Sequence, residues 1–213
     1  MRLVLASTSP ARLALLRSAG IEPVVVPSDV DEPAAVAAAA PSSPEEMVLL
    51  LARAKAEAVT TAIASGEAAV PEDAHLVLGG DSAFAIDGAV HGKPGTAEVA
   101  LDRWRAQRGR EGVLHSGHWL IDRRTGEGRG AVASATVRFA ADLDDAELAA
   151  YVATGEPLAV AGAFTIDSLG GPFIEAVAGD PSTVVGLSLP TLRRLVRATG
   201  TAWTDLWNRP GSL

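Results

Sequence analysis

The chain has no cysteine. That excludes disulfides, thiol nucleophiles and Cys-type zinc sites. Aromatic residues make up only 4% of its 213 residues, too few for an aromatic-rich β sandwich. Basic residues are outnumbered: Lys and Arg total 18 against 26 Asp and Glu, for a net charge of −8. Binding to a polymeric nucleic acid rests on dense Lys and Arg neutralising phosphates, so a polyanionic partner is not expected. A small anion needs only a local cluster of donors and remains compatible. No apolar stretch approaches the ~20 residues required to cross a membrane. The opening MRLVLASTSPARLALL is interrupted by Ser-Thr-Ser-Pro and makes a poor signal-peptide core, so a cytoplasmic location is expected.

Histidine is also scarce. His75, His91, His115 and His118 form no HExxH pattern, and the odd spacing of His115 and His118 would send them to opposite faces of a strand. A histidine metal site is not expected.

What is present is aliphatic. Hydrophobic residues are 48% of the chain and charged residues 21%, with Ala, Val and Leu dominant. This favours helices packed on a sheet. Residues 2–6 read as a short buried strand and Glu22–Val26 as a second. Ser9-Pro10 starts a helix, with a capping side chain followed by proline at the first helical position. Residues 27–44 read as a loop that includes a short low-complexity Ala run at 34–40. Ser43 caps a long helix to about Ser65, with Gly66 beyond it, and Lys55 flanks its apolar stripe. Residues 75–86 form a near-continuous apolar strand followed by the hairpin signal Asp87-Gly88. Thr96 caps a helix to about Gln107. Strands are expected at 112–122 and 130–139, joined by the turn 125–128. Asp142 should cap a helix to about Val152, Phe173–Val177 should be a strand and Ser188–Thr199 a terminal helix. The pattern is mixed α/β with hairpins and crossovers.

Four constellations could carry chemistry. Ser7-Thr8-Ser9-Pro10-Ala11-Arg12 joins a strand to a helix, placing unpaired backbone N–H groups beside hydroxyls and a guanidinium. That arrangement can hold phosphate, or it can be a helix cap with a surface Arg. Asp81 lies within a buried apolar strand, where a carboxylate costs several kcal/mol unless paired or metal-bound. It reads as a metal ligand or general base, or else as a structural partner of a buried cation. Gly79 and Gly80 just before it permit close approach of another backbone or a ligand. Lys93, in Gly92-Lys93-Pro94, is a phosphate contact or a turn lysine. The segment is not a P-loop, because the glycine spacing is one residue short and Pro94 replaces the hydroxyl. Asp29, Asp31 and Glu32 supply oxygens suited to Mg²⁺, or form a solvated acidic loop.

Taken together, these segments resemble the Maf family of nucleoside triphosphate pyrophosphatases. LASTSPARLALL is similar to the family's opening motif. VDE at 30–32, LARAKA at 51–56, GGDS at 79–82 and HGKPGTAEVA at 91–100 follow in family order. SGHWLID at 116–122, YVATGEPLAVAGAF at 151–164 and AGDPSTVVGLSL at 178–189 complete the likeness across nearly the whole chain. The resemblance implies one domain over 1–213 with a two-lobed mixed α/β fold and a central cleft. It implies hydrolysis of a nucleoside triphosphate to monophosphate plus diphosphate, in house-cleaning of nucleotide pools, with a divalent cation, Mg²⁺ or Mn²⁺. Asp81 matches the catalytic carboxylate, acting as proton acceptor for the attacking water or as a metal ligand. Glu32 matches a metal-binding acid. Ser9, Arg12, Lys55 and Lys93 match triphosphate-contacting positions, and Ser7 joins them. A nucleoside triphosphate is the expected partner, with no membrane and no nucleic-acid polymer, and a homodimer is left open.

Three positions depart from the family's patterns. Ala11, Ser82 and Asp167 match neither the subgroup acting on dTTP and UTP nor that acting on 7-methyl-GTP. Asp167 can accept from the N–H edge of guanine, and the departures favour a broad nucleotide range. Two rival readings are an inosine/xanthosine triphosphate pyrophosphatase of neighbouring fold and a nucleotide-binding regulator of division and septum formation with little turnover.

Overall fold

Leu3, Val4, Leu5 and Ala6 have no exposed surface. A strand apolar on both faces belongs inside a covered sheet. In the computed structural model, which describes residues 1–209, this segment is β1 (Arg2–Ala6). It pairs in parallel with β2 (Val24–Val25) on one side and β3 (Ala74–Ile86) on the other. A short β4 (Ala89–His91) folds back antiparallel on β3. The remaining strands are β5 (Glu111–Asp122), β6 (Glu127–Phe139) and β7 (Ile174–Ala178). The described residues form a seven-stranded sheet in the order β2-β1-β3-β5-β6-β7, with β4 beside β3 off this path. Parallel pairs at β1 and antiparallel pairing of β6 with β7 make it mixed, as expected from the sequence.

The helices start where capping side chains put them. Ser9, Ser43, Thr96 and Ser188 accept from the backbone N–H groups of Arg12, Glu46, Val99 and Thr191. They open α1 (Pro10–Ser18), α3 (Pro44–Ser65), α4 (Ala97–Gln107) and α7 (Leu189–Ala198). Proline occupies the first turn of α1, α3 and α7, where its missing N–H leaves no bond unmade.

Several boundaries differ from expectation. Residues 27–44 are not all loop: Asp31 accepts from Ala34 N at 2.9 Å and caps α2 (Glu32–Ala39). No α2 residue is buried, so there is no hydrophobic period to detect, although the Ala run has high helix propensity. The cap of α5 (Asp145–Ala153) is Asp144 rather than Asp142, because Glu147 closes a reciprocal capping box. The second strand has two residues, and β6 begins at Glu127, so the hairpin turn is 123–126. A short α6 (Pro181–Val185) completes the set.

The chain separates into two compact units, with the division falling inside β3, β5 and β6. The first comprises Met1–Asp81, Ser116–Ala133 and the described residues from Gly186. Its aliphatic core joins Leu3, Leu5, Leu76 and Leu78 to Leu16 of α1 and to Leu192 and Val196 of α7. A second cluster places Val4, Ala6 and Val77 against Ala56 and Val59 of α3.

The second unit, Ser82–His115 with Ser134–Val185, gathers the scarce aromatics. All 4 phenylalanines, the 1 tyrosine and Trp104 belong to it. Phe84 meets Phe139 and Phe164 edge-on at 5.8 and 5.2 Å, and Trp104 meets Tyr151 at 5.4 Å. Edge-to-face pairs of this kind add roughly 0.5–1.5 kcal/mol each beyond area burial. Trp104 is fully enclosed, and its indole N–H is donated to Ala163 O at 2.7 Å.

Candidate active site

Two glycines let a helix lie directly on the sheet. A Cβ at Gly79 of β3 would fall 2.0 Å from Ala52 O, and one at Gly117 of β5 would fall 2.2 Å from Val48 O. Both contacts are with the backbone of α3, which no side chain could share. Side chains two apart on a strand face the same way, so Asp81 points toward α3 as Gly79 does. Lys55 stands one helical step beyond Ala52. The close approach therefore delivers a lysine to a carboxylate inside the first unit.

Lys55 Nζ donates to Asp81 Oδ1 at 2.7 Å and lies 2.8 Å from Glu32 Oε1. Lys55 and Asp81 are 7% and 9% exposed. Lys55 is thus enclosed rather than at the edge of the apolar stripe. Burial raises the Asp81 pKa above the ordinary carboxylate value, against the opposing pull of the Lys55 and Arg12 charges. Glu32 comes from the first turn of α2, and its side chain is half exposed. Asp31 is occupied as the α2 cap, and Asp29 sits in a left-handed turn at φ 48°. Of the acidic trio, only Glu32 is shown pairing with Lys55.

The N-terminal loop supplies the other polar wall of this unit. Ser7 Oγ accepts from Ser9 N and from Arg12 Nη1, each at 3.2 Å. Arg12 is not a surface residue: it is 8% exposed, and Nε donates to Gly186 O at 2.9 Å. Burial lowers its pKa, while the charges of Asp81 and Glu32 pull it upward. Gly80, which faces away from α3, leaves room for this side chain: a Cβ there would stand 3.2 Å from Arg12 Nε. The site therefore carries two cations, two carboxylates and a helix start whose N–H groups favour anions.

Sequence reasoning missed the brace behind Arg12. His118, wholly buried on β5, accepts at Nε2 from Ser188 N at 2.8 Å. Ser188 caps α7 two residues after the Gly186 carbonyl that receives Arg12. A histidine inside an apolar strand is as much a signal as Asp81, yet only its metal-binding potential is weighed in the sequence. An Nε2 that accepts places the ring proton on Nδ1.

The remaining sequence candidates belong to the second unit. Ser82 is half-buried on β3, Lys93 is exposed in the segment after β4, and Asp167 is exposed in a loop that precedes the 3-10 turn at Gly171–Phe173. Among the described residues no group of three or more His, Asp or Glu side chains is placed to hold a metal ion on protein ligands alone. No described helix is long and apolar enough to cross a membrane.

The family described as Maf-like protein matches residues 2–199. The chain belongs to that family. Curated relatives match over nearly the whole of this chain. A nucleoside triphosphate pyrophosphatase of Leifsonia xyli subsp. xyli is 70% identical over 218 residues, covering 99% of both chains. One of Salinispora tropica is 54% identical, covering 98% of this chain and 88% of the relative. One of Corynebacterium diphtheriae is 47% identical, covering 98% and 99%. Membership in the Maf-like family agrees with the mixed α/β sheet and with the order of motifs along the chain.

Proposed function

We propose that this protein is a nucleoside triphosphate pyrophosphatase, a hydrolase releasing diphosphate and leaving the nucleoside monophosphate. The observation that carries the reading is the buried Lys55 ammonium shared by Asp81 and Glu32, beside the Ser7–Arg12 loop. The names of relatives up to 70% identical support the same activity.

Each residue has a task in this reaction. Asp81 receives the proton of the attacking water, and burial suits it to that role by raising its proton affinity. An ammonium has three N–H donors; two of Lys55's meet carboxylates, and the third serves a phosphate oxygen. Arg12, with Ser9 and the α1 N-terminus, binds phosphate oxygens, supported from behind by Ser7 and Gly186.

Glu32 and Asp81 both reach the Lys55 ammonium, and their other carboxylate oxygens are of the kind that would hold Mg²⁺ or Mn²⁺ together with phosphate and water. Such an ion supplies neutralisation of charge on the leaving group.

The test is diphosphate release from a panel of normal and modified nucleoside triphosphates with Mg²⁺ or Mn²⁺. Turnover of at least one member supports the reading. Binding without turnover across the panel overturns it in favour of a nucleotide-binding protein.

A further inference from the structure

Helix α2 is fastened by a single side chain. Its sequence, EPAAVAAA, carries one polar side chain, Glu32. That carboxylate lies 2.8 Å from Lys55 Nζ, and the side chain is 49% exposed. Among the described residues no other hydrogen bond or ion pair joins α2 to another element. The apolar contact is thin as well. α2 lies against α3, but only Ala35 and Val36 are half-buried and no α2 residue is enclosed. Asp31 caps the helix locally, accepting from Ala34 N at 2.9 Å, so Glu32 moves with the first turn.

Both ends of α2 carry a strained residue. Asp29, just before it, has φ 48°, and Ala40, its C-cap, has φ 45° and ψ 57°. A residue with a Cβ is disfavoured in this left-handed region. Ala40 is strained for a second reason: Pro41 follows it, and proline favours extended backbone in the residue before. The relaxed form of Ala40 is therefore extended. Passing from left-handed to extended there reorients the helix relative to α3. One ion pair thus holds α2 down against a strained bend.

We infer that α2 is a hinged arm, latched shut by the Glu32–Lys55 pair, which turns about Asp29 and Ala40 to lift Glu32 off Lys55. Shut, the arm keeps one Lys55 N–H donor occupied and sets a negative charge beside Arg12 and Lys55. Open, it frees that donor and withdraws the charge that repels an incoming anion. A phosphate anion and Glu32 compete for one ammonium, whereas a divalent cation attracts both and favours the shut arm. The inference rests on the pyrophosphatase reading for the anion that enters. The latch and the hinge stand on the geometry of α2 alone.

The chain has no cysteine, so Ala38→Cys on α2 and Thr61→Cys on α3, both exposed, take spin labels at those two sites alone. Double electron–electron resonance reads the distance between the labels, and amide hydrogen exchange reads the α2 backbone. The labelled parent should give one dominant distance. Glu32→Ala should raise a second, longer population roughly threefold to fivefold, and Glu32→Gln, which keeps an acceptor, should raise it less. Ala40→Gly relieves the strain of the shut form and should lower that population roughly fivefold in the Glu32→Ala background. Inorganic diphosphate added to the labelled parent should raise the longer population, and Mg²⁺ added with it should reverse the rise. An unchanged distance in Glu32→Ala overturns the arm. Faster exchange in α2 with no second distance also overturns it, because the helix then melts in place. A second distance in Glu32→Ala with no response to diphosphate overturns the anion half and leaves the latch standing. A parent that turns over no nucleoside triphosphate overturns the pyrophosphatase reading, and the Glu32→Ala distances still decide the arm.

Discussion

Lys55 Nζ stands 2.7 Å from Asp81 Oδ1, with both residues more than nine-tenths enclosed. Removing one partner of such a pair leaves a charge that neither water nor protein compensates. Lys55→Met should therefore destabilise the fold by about 3 kcal/mol. Asp81→Asn should cost less, because Lys55 retains Glu32 and the raised carboxyl is removed. Urea unfolding of both variants checks the order. A Lys55→Met variant as stable as the parent would contradict the buried pairing.

Gly79 and Gly66 should respond to alanine for different reasons. At Gly79 the methyl group meets Ala52 O at 2.0 Å, so α3 must move off β3, with a loss of roughly 1–3 kcal/mol or more. Gly66 has nothing within 4 Å but sits at φ +83°, so its cost is confined to backbone strain of about 1 kcal/mol. Thermal unfolding ranks the two. Only Gly79→Ala should also lower turnover, since Lys55 moves with α3.

His118 should matter through Arg12. His118→Leu leaves the buried Ser188 N–H without its acceptor, a loss of roughly 1–3 kcal/mol. It also loosens the Gly186 carbonyl that receives Arg12. KM for the triphosphate should rise more than kcat falls. His118→Gln, with an acceptor near the Nε2 position, should recover part of the affinity. Equal kinetics in the Leu and Gln variants would show that the hydrogen bond does not act on Arg12.

Acid should weaken the fold through its donor-rich carboxylates. Hydrogen bonds hold Glu156 below its ordinary 4.5 against burial, and Arg124 holds Asp122 below 3.8. A carboxyl lowered in the folded state contributes stability above its unfolded pKa and loses it as pH falls through the folded value. The midpoint of thermal unfolding should drop as pH falls below about 4.5, the ordinary value for Glu156. Glu156→Gln should be less stable near neutrality and less sensitive to acid, so the two profiles converge at low pH. Parallel profiles would contradict the role of Glu156.

What could be read in advance was local. Ser9-Pro10 announces its helix because cap and proline act within one turn, and Gly79-Gly80-Asp81 announces a close approach because glycine and a buried charge are each costly in a strand. The pairings that make the site are not local. Lys55 and Asp81 are 26 residues apart, and Ser188 and His118 are 70 apart. No periodicity couples such positions; they meet because the sheet order brings their elements together. The α2 helix was hidden for another reason, since a helix with no buried face shows no apolar stripe. The cap of α5 was legible but misassigned: Asp144 has Glu three positions on, and Asp142 does not.

The most direct test of the account is diphosphate release by the intact protein and by Asp81→Asn, measured across the nucleotide panel with Mg²⁺ or Mn²⁺. The parent should turn over at least one nucleoside triphosphate, and the rate should drop roughly a hundredfold or more in the folded variant. Near-parental rates in Asp81→Asn would remove Asp81 from the reaction, and no turnover by the parent on any member would contradict the enzyme itself.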